Sequence, residues 1–234
     1  MPGMLGQVSS VFAPFYTGGG RLDPKWVPSR TLFPIFVGIN DLDHWNTGTT
    51  FTTGLAAHRD DVFTQYARAI DLVSLASEQL PHTNTNPSPQ LYTTGARNFV
   101  VYSAPPLDRA PEFSYVRAPK RTEIADYNAR LKAMASALAN KHRDAIIWHV
   151  DLNALFTDVL DNKDRFVQTR GYKELNAICP YYARNWLQLP SMGYKDASCE
   201  FKVSEYFWLN GRHVTYPLHD LLAEVTHDAL LASH

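Results

Sequence analysis

Three continuous apolar runs most constrain how this chain can fold: "TLFPIFVG" (31–38), "NFVVYSAPP" (98–106) and "AIIWHVDL" (145–152). None alternates polar with apolar, so each reads as a strand covered on both faces. Between the first two, Val62, Tyr66, Ala69 or Ile70, Val73 and Leu80 recur every three or four residues. Between the second and third, Ile124, Tyr127, Leu131, Met134 and Leu138 do the same, and Thr122 is the expected cap of that helix. Strands alternating with helices of this length predict βαβ units and an α/β fold, a parallel sheet with helices on both faces. In such sheets functional groups collect at the carboxyl ends of the strands.

The first run stops on Gly38, Ile39, Asn40 and Asp41, which puts Asn40 where chemistry is expected. Asp43 and His44 follow it, Ser103 ends the second strand and Asp151 the third. A second informative stretch is "SEYFWLNGRHVTYPLHDLLAEV" (204–225). Its aromatic residues lead into a loop with Asn210 and His213, then into a final helix with Leu218, Leu221, Leu222 and Val225 inward. A histidine in such a loop is well placed to act as a base, while a structural reading stays open because nine histidines occur. His219 reads as a helix-face residue supporting the loop. Asp41, Ser103 and Trp208 are candidate substrate contacts. For Ser103 the alternative is a hydroxyl that bonds local backbone at the strand end.

Composition narrows the partners. With 22 Lys and Arg against 23 Asp and Glu, and no run of five like charges, nothing suits a nucleic-acid backbone or an anionic membrane surface. A small molecule is the expected partner. No stretch approaches a membrane span of about 20 apolar residues. The N-terminus lacks a basic region followed by an apolar one, so no localisation is assigned. The aromatic content, 12 Phe, 12 Tyr and 5 Trp, and the pair Cys179 and Cys199 have an extracellular character. No cofactor is called for, and His44, His213 and His219 lack metal-ligand spacing. One domain over residues 1–234 is the expectation.

The strand ending in "GIND", the segment "NFVVYSAPPLDRAPEF", the "IADYNARL" helix, the two cysteines and "YFWLNGRHVTYPLHDLLA" resemble, in order and spacing, the SGNH or GDSL hydrolase superfamily. The likeness covers residues 31–226 and is nearest to fungal GDSL esterases similar to acetylesterases of carbohydrate esterase family sixteen. The resemblance implies a three-layer α/β/α, flavodoxin-like parallel sheet. It makes Asn40 the donor to the oxyanion, Gly38 the residue that permits the turn, His213 the general base and Cys179–Cys199 a disulfide, in a family that is typically secreted. The chemistry needs these types. A preorganised donor at the developing oxyanion is worth about 3 to 4 kcal/mol, and a hydroxyl nucleophile needs a base within about 3 Å.

Two elements depart from the pattern. The only serines before Asn40 are Ser9, Ser10 and Ser29, none preceded by Gly-Asp, so the domain reads as N-terminally truncated without its nucleophile block. The acid position holds Asn210, and Val214 stands in place of a proline. A comparable Asp to Asn change costs serine proteases about ten-thousandfold. Three expectations follow: an ester pocket without serine hydrolysis, a non-hydrolytic isomerase or cyclase using His213 and Asn40, or an incomplete gene model of a secreted acetylesterase. Asn40 and His213 are expected to face one pocket. Loss of the first strands would leave residues 31–38 as an open edge, which predicts a homo-oligomer paired there unless residues 1–30 cover it.

Overall fold

The computed structural model describes residues 4–16, 26–27, 30–44, 55–70, 91–92 and 95–232. In chain order these form α1 (Met4–Gln7), a π turn (Val8–Phe12), α2 (Ala13–Tyr16), β1 (Leu32–Ile35), α3 (Ile39–His44), α4 (Leu55–Ile70), β2 (Asn98–Tyr102), α5 (Arg117–Lys141), β3 (Ile146–Val150), α6 (Leu152–Asp161), α7 (Pro180–Asn185) and α8 (Tyr216–Leu231). The chain divides into two compact units. The first comprises Met1–Tyr102 and Ala129–His149, the second Ser103–Asn128 and Val150–His234.

The three apolar runs become one sheet in the order β1-β2-β3. β1 pairs with β2 in parallel, Leu32 opposite Asn98 through Ile35 opposite Val101. β3 advances in the same direction, since Ile146 N–H donates to Arg97 O and Ser103 N–H to Val150 O. The central strand is covered on both faces, as its continuous hydrophobicity predicts: Phe99, Val100 and Val101 are buried. The outer strands differ from that expectation. Pro34 and Ile146 are exposed. Among the described residues β1 pairs only with β2, and proline, which lacks an N–H, is tolerated on an edge strand.

In the first unit α4 buries Val62, Tyr66, Ala69 and Ile70, the face its spacing predicts, while Val73 and Leu80 lie outside the described residues. Phe12 and Trp26 both meet Phe33 edge-on, with ring centroids 5.5 and 5.4 Å away. Trp26 Nε1 donates to Tyr16 O at 2.7 Å. α5, whose residues through Asn128 belong to the second unit and from Ala129 to the first, buries Ile124, Tyr127, Leu131 and Leu138. One expectation needs correction: α5 begins at Arg117, so Thr122 is interior and not its cap. Pro119 fits the first turn, where its missing N–H leaves no bond unmade, and the Thr122 hydroxyl bonds back to Ala118 O at 3.4 Å.

In the second unit the Cys179–Cys199 disulfide joins Cα atoms 5.6 Å apart and packs in a core with Tyr182, Val203 and Tyr206. Tyr182 donates to Phe201 O at 2.9 Å, tying the two sides of the bridged loop together. Closing a loop of this length stabilises the fold by about 3 kcal/mol in the chain-entropy account.

Candidate functional site

The second unit presents His213 on a tight loop whose foundations are aromatic. Tyr206, Phe207 and Trp208 are all buried, and Phe207 sits between Phe156 and Tyr172 at centroid distances of 6.2 and 5.5 Å. From this anchor the chain makes an antiparallel bridge between Trp208 and Val214, and Leu209 N–H donates to His213 O at 2.8 Å. Thr215 N–H returns to Phe207 O at 3.0 Å before α8 starts.

Asn210 organises the tip. Its Oδ1 accepts from the backbone N–H groups of Arg212 and His213 at 3.1 and 3.0 Å, and lies 2.9 Å from His213 Nδ1. Two backbone donors identify that atom as the amide oxygen. Nδ1 therefore carries the ring proton, and Nε2 carries the lone pair that accepts a proton. The ring stacks on Trp186, planes 17° apart and centroids separated by 5.9 Å. Desolvation, then the adjacent Arg212 charge, hold the His213 pKa below its usual value, so the basic form is favoured at neutral pH.

The loop is clamped by a residue a hundred positions away. Glu112 N–H donates to Gly211 O at 3.0 Å, and the Glu112 carboxylate accepts from both Nε and Nη2 of Arg212, the former at 2.7 Å. Arg212 also lies over the Phe113 ring at 5.7 Å. A side chain at 211 would crowd this clamp, because a Cβ there would meet Glu112 Oε2 at 2.9 Å and Glu112 Cβ at 3.0 Å, and the glutamate would have to shift.

The first unit presents the other candidate element. Gly38 has φ 115°, a conformation that residues with a Cβ rarely adopt, and it turns the chain from β1 into α3. Leu42 N–H donates to Gly38 O at 2.9 Å and Leu42 is fully buried, which fixes the turn. Asn40 is exposed on α3. Asp41 accepts from Tyr66 OH at 2.6 Å, so its carboxylate ties α3 to α4. The side chains of Asp43 and His44 lie outside the described residues.

Two other candidates, Ser103 and Trp208, sit deeper. Ser103 is fully buried, donates to Asp151 Oδ1 at 3.1 Å and accepts from Asn153 N–H at 3.2 Å. Asp151 caps α6 by accepting from Ala154 N–H at 3.0 Å. Trp208 is also fully buried, and its Nε1 has no hydrogen-bond partner among the described residues. His219 is exposed on α8. Two residues beside His213 escaped the sequence reading. Trp186 lies in "YYARNWLQLP" between the cysteines, where an aromatic residue in a polar loop was the available signal. Glu112 gave no local signal, since its partner is distant in sequence.

Comparison with known proteins bears on these elements together. Residues 15–201 match the model of the GDSL-like lipase/acylhydrolase family, a span that includes Gly38, Asn40 and both cysteines and ends before Asn210. A GDSL esterase/lipase of Arabidopsis thaliana is 24% identical over 213 residues, covering 87% of this chain and 53% of the relative. An acetylesterase of Thermothelomyces thermophilus is 25% identical over 142 residues, 58% of this chain and 40% of the relative. The chain thus spans about half the length of the relatives it matches. The parallel sheet with its helices agrees with the α/β/α arrangement of SGNH hydrolases. This chain belongs to the GDSL-like lipase/acylhydrolase family.

Proposed function

We propose that this GDSL-family chain acts on or binds a small ester or lipophilic metabolite, with His213 as the proton acceptor and Asn40 as the amide that polarises the carbonyl. The Asn210–His213 hydrogen bond carries the reading, because it fixes the tautomer that leaves Nε2 basic. Family membership supports the ester class. Trp186 holds one face of the ring and Glu112 holds Arg212, so the base needs little reorganisation before it works.

Serine hydrolysis by the family route is not the chemistry of residues 1–234. None of their serines follows Gly-Asp, and Ser103 has its hydroxyl engaged in a buried network. Asn210 favours a second reading, in which His213 takes a proton from the substrate and returns it, as in an isomerisation or cyclisation. A neutral amide orients the imidazole without the negative charge that stabilises the imidazolium formed when a serine hydroxyl gives up its proton. The test is turnover of 4-nitrophenyl acetate together with labelling by a fluorophosphonate probe. Negligible hydrolysis and no labelled serine are expected, and strong labelling of one serine overturns the proposal.

A further inference from the structure

Trp186 lies at the end of α7, inside the segment that the Cys179–Cys199 disulfide closes. Tyr182 anchors that helix through its bond to Phe201 O, Asn185 Nδ2 donates to Tyr181 O at 2.8 Å, and Gln188 N–H donates to Asn185 O at 2.8 Å. The indole is thereby held against the His213 loop, yet it is 46% exposed. With centroids 5.9 Å apart and planes inclined by 17°, the two rings form a displaced stack.

Such a contact has two effects of opposite sign on a proton. It withholds water from the imidazole, which disfavours the charged form. It also sets the negative π face of an indole, the best of the aromatic faces for a cation, within about 6 Å of the ring, which favours that form. The second effect gains weight from what else surrounds His213. Its own loop supplies the neutral amide of Asn210 and the positive charge of Arg212, which Glu112 pairs. Among the described residues no carboxylate bonds the imidazole.

We infer that the face of Trp186 stands in for a triad carboxylate, stabilising the imidazolium that forms when His213 accepts a proton. Trp186 is then a positioning residue that acts through His213, and the inference deepens the proposed function and rests on it. A π face is a weaker partner than a carboxylate, so the replacement is partial.

NMR titration of the His213 imidazole in the full chain tests this with Trp186→Phe and Trp186→Leu. Leucine keeps an apolar cover over the ring and removes the π face, while phenylalanine keeps a weaker face. The pKa is expected to fall from parent to Phe to Leu, with the Leu variant about half a pH unit below the parent, the shift that one exposed cation–π contact gives. If Trp186 were only a cover, the Leu variant would titrate at or above the parent value, and that result overturns the inference. Should Trp186→Leu change the far-ultraviolet circular dichroism, the parent grown with 5-fluorotryptophan decides, because fluorine depletes the π face and keeps the shape. A lowered His213 pKa is expected there, and an unmoved one overturns the inference. The titration reads no turnover. A serine labelled by the fluorophosphonate probe would end the proposed function and leave this pKa order standing, whereas an unmoved pKa would end this inference and leave the labelling result untouched.

Discussion

The loop that carries His213 and the turn that carries Asn40 are built by opposite means. Around His213 the constraints are polar and long-range: Asn210 satisfies three donors, Glu112 grips both Gly211 and Arg212, and a disulfide closes the segment bearing Trp186. Around Asn40, those seen among the described residues include one glycine conformation, one buried leucine and one Tyr66–Asp41 hydrogen bond. The hydrogen bonds around His213 suit the task proposed for it, since a base must hold one tautomer and one direction.

The comparison can be broken at its strongest point first. Replacing Cys179 and Cys199 with serine should cost about 3 kcal/mol in urea unfolding and loosen the segment that holds Trp186. A loss well under 1 kcal/mol would mean that the tyrosine core alone holds the second unit. In the first unit, Gly38→Ala should cost about 2 kcal/mol, because φ 115° strains any residue with a Cβ. An unchanged urea midpoint would show that the turn relaxes freely.

Smaller effects sharpen the contrast. Asn210→Asp keeps an acceptor oxygen for the two backbone donors and adds a charge beside the ring, so the His213 pKa should rise by about one pH unit, measured by NMR of the imidazole. No rise would mean that the side chain at 210 does not hold the place beside His213 Nδ1 that the hydrogen bond gives it. The smallest effect is on pH stability. The folded His213 pKa lies below its ordinary 6.5, so the unfolded chain takes up a proton that the folded chain refuses. Its contribution is therefore constant above about pH 6.5 and is lost as pH falls from there toward the folded value. Relative to His213→Gln, the parent should lose additional stability on acidification in that window, and parallel pH curves would contradict the assignment.

Much of the fold was legible in the sequence because strand and helix periods are local. The run "NFVVY" announced a strand buried on both faces, and the spacing of Ile124, Tyr127, Leu131 and Leu138 announced the inward face of α5. The pairing of Asn210 with His213 was also near at hand, three residues apart on one loop. Thr122 misled because a threonine before a helical pattern resembles a cap, and Pro119 gave no warning that the helix had already begun.

By itself, then, the sequence determined the parallel α/β arrangement, the inward helix faces and the chemical types placed at the strand ends, since these follow from periodicity and from residue chemistry within a few positions. Only the tertiary structure decided which of those groups stay available. It buried Ser103 against Asp151 and Trp208 in the aromatic core, and left Asn40 and His213 exposed. It also brought Glu112 to Arg212 across a separation of a hundred residues and laid Trp186 on the imidazole. Such contacts depend on how distant segments pack, and burial is a property of that packing: the same hydroxyl or indole is a ligand contact at a surface and a structural strut when its neighbours close over it.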